Sequence, residues 1–257
     1  MQDFDDNGWA IFPPAPATVD WACAAFNATQ KVLAAAASED WRCGGTWFVG
    51  LDALPNLADG SVAGVALSGP AIDAAQRIHP VSVWHRAQLS VVRPGYPQRS
   101  ATESDSAFGF RLRRDAAHVD GILAEGTAKR RHIREPHAFV LGIALTDADQ
   151  GASPLVGWEG SHHLMQRAFR QTVKGADHAT LADLDVTDAY QAARKDVFER
   201  CARRILHLRK GACILLHRHL LHGVSPWFEG AQAPAVGRAI AYFRPEFAAV
   251  DRWIAAP

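Results

Sequence analysis

His118 and Asp120 are the two residues whose types and spacing most directly suggest metal chemistry. Only Val119 separates them. On an extended strand, the side chains of residues i and i+2 point to the same face. We therefore expect this pair at the end of a strand, where an imidazole and a carboxylate converge on one point. An isolated pair of this kind also arises by chance, as a surface histidine beside a turn aspartate.

A third ligand is available in His222, which follows the very apolar segment 213–221. Two histidines and one carboxylate leave three positions open on iron(II), which is the arrangement of non-haem oxygenases. His217 and His219 lie close by in the chain and compete for this role. Their strand parity differs from that of His222, so they should face the other way unless a bulge interrupts the strand.

The elements that must position these residues follow from hydrophobic periodicity. A helix is predicted after Thr18, a second runs from Pro70 to about Ile78, and residues 162–200 are mostly helical with a cap at Thr187. Strands are predicted at 84–93, 108–113, 137–146, 204–209, 213–221 and 237–243. Strands and helices do not alternate as βαβ units, which argues against a Rossmann-type sheet. A mainly β jelly roll with flanking helices fits better.

We expect one domain over residues 1–257, with N-terminal helical support at about 1–80. The jelly-roll core spans about 81–257 and carries the helical insertion at 162–200. Because 27 basic residues balance 27 acidic ones, no basic groove for nucleic acid is expected. The four cysteines form no CxxC motif, and no apolar run is long enough to span a bilayer. These features predict a cytoplasmic protein.

Several segments together are similar to the phytanoyl-CoA dioxygenase (PhyH-like) superfamily of Fe(II)/2-oxoglutarate-dependent oxygenases, and the resemblance covers most of the chain. The opening of that family resembles residues 4–11 (FDDNGWAI), and its central strand resembles residues 141–147 (LGIALTD). Residues 151–162 (GASPLVGWEGSH) are similar to a stretch that ends in Gly-Ser-His. Residues 210–223 and 237–240 match its C-terminal pattern. The combination is specific, although no single segment is.

The resemblance implies a double-stranded β-helix in which His118, Asp120 and His222 bind Fe(II). It also implies that Arg238 pairs with the distal carboxylate of 2-oxoglutarate, a role that suits a planar, permanently charged guanidinium. The loop between His222 and Arg238 is longer than is usual in the family, and Arg244 is the alternative. Related halogenases carry Gly or Ala in place of the carboxylate, so Asp120 favours a hydroxylase.

The implied reaction hydroxylates a C–H bond of a small molecule with dioxygen and releases succinate and CO2, with ascorbate as the reductant in vitro. We expect no nucleic-acid or membrane partner, and the oligomeric state is not predicted. The basic segment 129–134 is either a site of attraction for an anionic substrate or a solvated loop. Trp47 and Phe48 either line a pocket or fill the core, and they are interpreted as core residues. A non-catalytic jelly-roll binding module is one alternative, and a zinc or manganese cupin of other chemistry, which would not need Arg238, is another.

Overall fold

The computed structural model describes residues 1–256, so Pro257 and the side chain of His178 lie outside the description. Twelve strands and seven α-helices lie in this range. The strands are β1 (Trp9–Phe12), β2 (Trp41–Arg42), β3 (Trp47–Gly50), β4 (Gln88–Val92), β5 (Ile122–Glu125), β6 (Arg130–Ile133), β7 (Phe139–Ala144), β8 (Leu155–Trp158), β9 (Arg203–Leu206), β10 (Cys213–His217), β11 (His222–Val224) and β12 (Arg238–Phe243). The helices are α1 (Gln2–Asn7), α2 (Pro16–Ala35), α3 (Pro70–Ile78), α4 (Asp105–Arg114), α5 (Ser161–Thr172), α6 (Thr187–Arg200) and α7 (Val250–Ala255).

Two antiparallel sheets form the predicted jelly roll. The large sheet has seven strands in the order β1-β10-β7-β12-β4-β3-β2, and the small sheet has the order β11-β8-β9. A separate hairpin joins β5 and β6. The first 80 residues contribute more than helices, because β1 pairs with β10 at one edge of the large sheet and β2 and β3 form the other edge.

The apolar residues fall into two layers that follow strand alternation. Val140, Ile214 and Ile240 of the large sheet meet Leu155 and Leu206 of the small sheet in one buried cluster. Residues of opposite parity, such as Leu141 and Leu215, face outwards into a second and larger cluster. Helices α2 and α3 contact this outer face of the large sheet and exclude water from it. Both faces of the central strands are therefore buried.

The predicted strand at 108–113 is wrong, because this segment is part of α4. Ser104 caps the helix, and its hydroxyl accepts a hydrogen bond from the backbone N–H of Ala107 at 3.2 Å. Asp105 lies in the first turn and three arginines lie in the last, which complements the helix dipole. The alternation of Phe108, Phe110 and Leu112 suggested a strand, but these capping and charge signals are those of a helix.

The predicted strand at 213–221 is correct only in its first half. It ends at His217, and the chain turns before it re-enters the small sheet as β11. The prediction of α3 is confirmed, and the segment 162–200 contains α5, a 3-10 helix and α6, as expected. The first long helix begins at Pro16 rather than after Thr18, although Thr18 does bond its side chain to Ala15.

The four cysteines are free thiols, in agreement with the absence of a disulfide pattern. Across residues 1–256, no helix combines the length and apolar character that crossing a bilayer requires.

Candidate metal centre

His118, Asp120 and His222 lie together at one end of the space between the two sheets. The Nε2 atom of His118 is 3.1 Å from Oδ1 of Asp120, and the Nε2 atom of His222 is 3.8 Å from the same oxygen. The ligand atoms of the three residues all lie within 4.8 Å of one another, and no other such group of His, Cys, Asp or Glu occurs in the described chain. Two imidazoles and one carboxylate in this arrangement suit a divalent transition metal with open positions.

A backbone bridge holds the two histidines together. The N–H of His118 donates to the carbonyl of His222 at 2.8 Å, and the N–H of His222 donates to the carbonyl of His118 at 3.0 Å. His118 does not follow a strand as expected, because the residues before it form α4 and a tight turn in which Asp115 and Ala116 both have positive φ angles. The side chains of His118 and Asp120 nevertheless converge.

The turn that carries His118 is fixed from two sides. The guanidinium of Arg203 on β9 donates to both carboxylate oxygens of Asp115, at 2.7 and 2.8 Å. The backbone N–H of Val224 donates to the carbonyl of Asp115 at 2.9 Å. Gly223 permits this approach, because a Cβ at that position would lie 2.2 Å from the carbonyl oxygen of Asp115.

The backbone also sets the orientation of each imidazole ring. Nδ1 of His118 lies 2.9 Å from the carbonyl of Ala116, and Nδ1 of His222 lies 3.0 Å from the carbonyl of Leu220. A carbonyl oxygen only accepts, so Nδ1 carries the proton in both bonds. In His222, the Nε2 atom then keeps its lone pair free for a metal. Nε2 of His118 faces Oδ1 of Asp120 at 3.1 Å, and a metal bound there would take the place of the proton that these two atoms share.

The ionisation of the site also favours a cation. Burial would raise the pKa of Asp120, but the hydrogen bond from His118 and the neighbouring positive charges hold it well below its usual value. Burial lowers the pKa of His222, which keeps this imidazole neutral. The pKa of His118 is raised, because its bond to Asp120 outweighs the effect of burial. An ionised carboxylate beside a neutral imidazole is a donor set that binds metal.

A cavity extends from the three residues into the space between the sheets. Trp47, Ser90 and Tyr242 line it on the large-sheet side, and Leu155 lines it on the small-sheet side. The indole N–H of Trp47 donates to the hydroxyl of Ser90 at 3.1 Å. Trp47 is thus half-buried and lines the cavity, and it also packs against a small buried cluster of Cys43, Val92 and Tyr96, so its interpretation as a core residue is confirmed only in part. Phe48 is buried in the core as expected.

Arg238 is a buried cation without a counter-charge. Arg238 is the first residue of β12, and its side chain lies on the same face of the strand as that of Tyr242. Only 6% of the residue is exposed. None of its three guanidinium nitrogens forms a hydrogen bond of good geometry with residues 1–256, and the hydroxyl of Tyr242 is its close polar neighbour. Burial raises the pKa of Tyr242, and the nearby charge of Arg238 offsets part of that rise. Since an isolated buried charge is costly, this guanidinium fits a bound anion such as a carboxylate.

Arg244 occupies a different place from Arg238. Its Nη1 atom is 3.8 Å from Oδ2 of Asp120, and its side chain lines the cavity at the metal-site end. The sequence offered both arginines as partners for the distal carboxylate of 2-oxoglutarate. In the structure, Arg238 begins β12 and lies between the sheets, whereas Arg244 follows the end of β12 and lies beside the three candidate ligands.

The remaining candidates lie elsewhere. His217 and His219 are buried on the opposite side, against His162 and Trp253, which agrees with the parity expectation although the strand is broken. Of the basic segment 129–134, Arg130 pairs with Asp185 and Arg134 pairs with Glu125, and no residue of the segment lines the cavity.

Sequence reasoning missed Asp115, Arg203 and Tyr242. Tyr242 could have been predicted as a neighbour of Arg238, since it lies four residues further along the same strand and its side chain points to the same face. Nothing in the sequence pairs Asp115 with Arg203, because 88 residues separate them.

No protein-family model matches this chain, and no curated protein matches it in sequence. Among solved structures, AviO1 from Streptomyces viridochromogenes Tue57 is similar with a TM-score of 0.52 and 16% identity, over 96% of this chain and 94% of that one. The non-heme alpha ketoglutarate dependent carbocyclase SnoK from nogalamycin biosynthesis has a TM-score of 0.46 and 15% identity, over 95% and 82% of the two chains. EctD from S. alaskensis with bound Fe has a TM-score of 0.44 and 13% identity, over 95% and 74%. The similarity to AviO1 shows a shared fold, and the resemblance to the phytanoyl-CoA dioxygenase superfamily stays a prediction.

Proposed function

We propose that this chain is an Fe(II)/2-oxoglutarate-dependent dioxygenase that hydroxylates a C–H bond of a small molecule and releases succinate and CO2. The observation that carries the proposal is the placement of two unlike features in one jelly roll. His118, Asp120 and His222 converge at one end of the cavity. The guanidinium of Arg238 is buried close to Tyr242, which lines that cavity, and it lines a smaller pocket that shares Leu155 with the cavity.

In this proposal, the Nε2 atoms of His118 and His222 and the carboxylate of Asp120 hold Fe(II). Bound iron and 2-oxoglutarate supply the chemistry that activates dioxygen, as 2-oxoglutarate is oxidised to succinate and CO2. The carbonyls of Ala116 and Leu220 fix the rings through Nδ1 and so keep both Nε2 atoms directed at the metal. Asp120 retains the carboxylate that halogenases lack, which favours hydroxylation.

Arg238 holds the distal carboxylate of 2-oxoglutarate. Its environment supports this role, because Leu155 and Ile240 line the small pocket of Arg238 with apolar surface and belong with Val140 to one buried cluster between the sheets. Ser90 and Tyr242 offer hydroxyl groups along the wall of the metal-site cavity. A hydrolytic or isomerase-type cupin has no use for such a buried, unpaired guanidinium, and this feature favours the oxygenase over that alternative.

The proposal is tested by following succinate formation from 2-oxoglutarate with Fe(II), ascorbate and dioxygen, with and without pooled candidate substrates. The wild-type protein should form succinate, even slowly and without added substrate, and His222→Ala should not. The matched control is His163→Ala, which changes an exposed histidine on α5. Absence of succinate from a wild-type protein that contains one iron per chain would contradict the proposal and favour a binding module.

A further inference from the structure

A second cavity, which we call the outer groove, lies on the far side of Arg244 from the metal site. It is lined by Leu51, Val83, His85, His137, Arg244 and Glu246, among others. Arg244 lines both this groove and the cavity of the metal centre. The roles proposed for the metal ligands and Arg238 leave the outer groove unused. Arg244 therefore forms part of the wall between the groove and the metal-site cavity, and a ligand that contacts it from the groove lies next to that cavity.

Arg244 has hydrogen-bond donors to spare. Within the described chain, its one acidic neighbour inside 4 Å is Asp120, whose Oδ2 atom lies 3.8 Å from Nη1 and so beyond direct hydrogen-bond distance. The backbone N–H of Arg244 donates to Nε2 of His85 at 2.7 Å, which anchors the residue. Its side chain is 19% exposed. The backbone of Arg244 is thus fixed, and its guanidinium keeps donors open to an incoming acceptor.

Three acids also line the outer groove, and only Glu135 lies within hydrogen-bond distance of its histidine. Glu135 lies 3.1 Å from Nε2 of His137, and Glu246 lies 3.8 Å from Nδ1 of the same ring. Asp52 lies 3.6 Å from Nδ1 of His85. The three acids outnumber Arg244, so the groove would repel a doubly charged phosphate, and only Arg244 is available to hold an anionic group, which limits that group to a single carboxylate.

The rim of the outer groove is apolar. Leu51 is 60% exposed and Val83 is 66% exposed, and both line the groove. Large apolar side chains next to a polar floor suit a ligand with a charged head and an apolar body. The charged head would face Arg244, and the apolar body would lie against Leu51 and Val83.

We propose that the outer groove binds the substrate and that Arg244 holds it by a carboxylate, so that the substrate is an organic acid with an apolar body. This inference rests on the proposed function, since it assigns Arg238 to 2-oxoglutarate and leaves Arg244 for the substrate. Arg244 then acts as a specificity residue that fixes the position of the acid relative to the metal centre.

The test uses 4-fluorophenylacetate and its neutral amide, 4-fluorophenylacetamide, as probes, with binding followed by fluorine NMR. The protein is loaded with Zn(II), which permits no turnover, and with saturating 2-oxoglutarate, whose own binding is measured first. The acid should bind at least about 10-fold more tightly than the amide, as expected for charge-assisted hydrogen bonds. Arg244→Gln should abolish this preference, and Arg244→Lys should keep part of it. Arg167→Gln, at an exposed arginine of α5, is the control.

Equal binding of acid and amide to the wild-type protein would overturn the inference, and that comparison does not depend on any variant. Displacement of the acid by 2-oxoglutarate would overturn it too, because the probe would then occupy the site of Arg238. The inference would also be overturned if Arg244→Gln, with unchanged zinc content, still bound the acid more tightly than the amide to the same degree as the wild-type protein. Failure of 2-oxoglutarate to bind the zinc-loaded wild-type protein would instead contradict the proposed function.

Discussion

At the scale of single residues, Arg238 shows most clearly that the site is built for a ligand. A guanidinium that is 6% exposed and forms no hydrogen bond of good geometry in the described chain lowers the stability of the protein without ligand. A bound carboxylate would supply the missing acceptors. Arg238 therefore favours ligand binding but lowers the stability of the ligand-free protein, and a substitution at this position should change the two quantities in opposite directions.

Arg238→Met should stabilise the ligand-free protein and weaken 2-oxoglutarate binding. We expect the free energy of unfolding to rise by on the order of 1 kcal/mol, because an apolar side chain replaces an unpaired buried charge. The affinity for 2-oxoglutarate should fall roughly 10- to 100-fold, because charged hydrogen bonds are lost. Denaturant unfolding and calorimetric titration of the zinc-loaded protein measure the two quantities, with Arg167→Met as control. An unchanged affinity would move the carboxylate to Arg244.

The candidate site was predictable to the extent that its residues carry a local or family signature. His118 and Asp120 are two residues apart, and His222 and Arg238 lie in segments that resemble a known family. Arg203 has no such signature, because its role comes from a contact with Asp115 across the fold. Contacts of this kind depend on tertiary structure and leave no trace in spacing.

At the scale of elements, the site depends on the close approach of β11 to the turn that carries His118. Gly223 is the point of contact, since a Cβ there would lie 2.2 Å from the carbonyl oxygen of Asp115 and 3.3 Å from Cα of Ala117. Neither neighbour is a flexible side chain. A methyl group at this position must therefore push two backbone segments apart.

Gly223→Ala should lower metal affinity more than its small size suggests. Separation of β11 from the turn lengthens the bridge between His118 and His222, and an effect of about 10- to 100-fold is expected, as for other changes that misplace metal ligands. Equilibrium dialysis of Zn(II) provides the measurement. The control is Gly109→Ala in α4, where the added Cβ meets the mobile guanidinium of Arg113. If Gly223→Ala bound zinc like the wild-type protein, the close approach would not position the ligands.

Helices and strands were predicted well where a long apolar segment indicated one kind of element. They were predicted poorly where strand-like alternation of apolar residues competed with helix-capping residues. The segments around β7, β10 and β12 are mainly apolar, and their existence was predicted although their ends were shifted. In α4, three aromatic or aliphatic residues alternate by chance, while the cap at Ser104 and the basic last turn favour a helix. The break after His217 has no glycine or proline to mark it, so the passage from one sheet to the other was not predicted.

At the scale of the whole molecule, buried histidines outside the metal centre link stability to pH. Burial lowers the pKa of His162 to about 4 and pushes the pKa values of His217 and His219 well below the usual value. Their unfolded forms take up protons below about pH 6.5, while the native protein does not. The unfolded state therefore binds more protons in this range, and the native protein loses stability as pH falls.

The free energy of unfolding should be level near pH 7 and fall between about pH 6.5 and 5, by up to about 1.4 kcal/mol per pH unit for each of these histidines. His219 packs between Phe169 and Trp253, and both its ring nitrogens lack a hydrogen-bond partner in the described structure. His219→Leu should therefore keep the packing and make the slope shallower by as much as one proton. Denaturant unfolding at a series of pH values measures this. A slope unchanged by the substitution would show that His219 does not titrate with unfolding.

The measurement that tests the central claim most directly is anaerobic binding of 2-oxoglutarate to the iron-loaded protein, followed by the visible charge-transfer absorption of the iron chelate. We expect one 2-oxoglutarate per chain in the wild-type protein and loss of the signal in His222→Ala. In Arg238→Gln, the same signal should appear only at higher 2-oxoglutarate concentration. If the wild-type protein holds one iron per chain and shows no such absorption, or if His222→Ala gives the same signal, then these residues do not form an Fe(II)/2-oxoglutarate site.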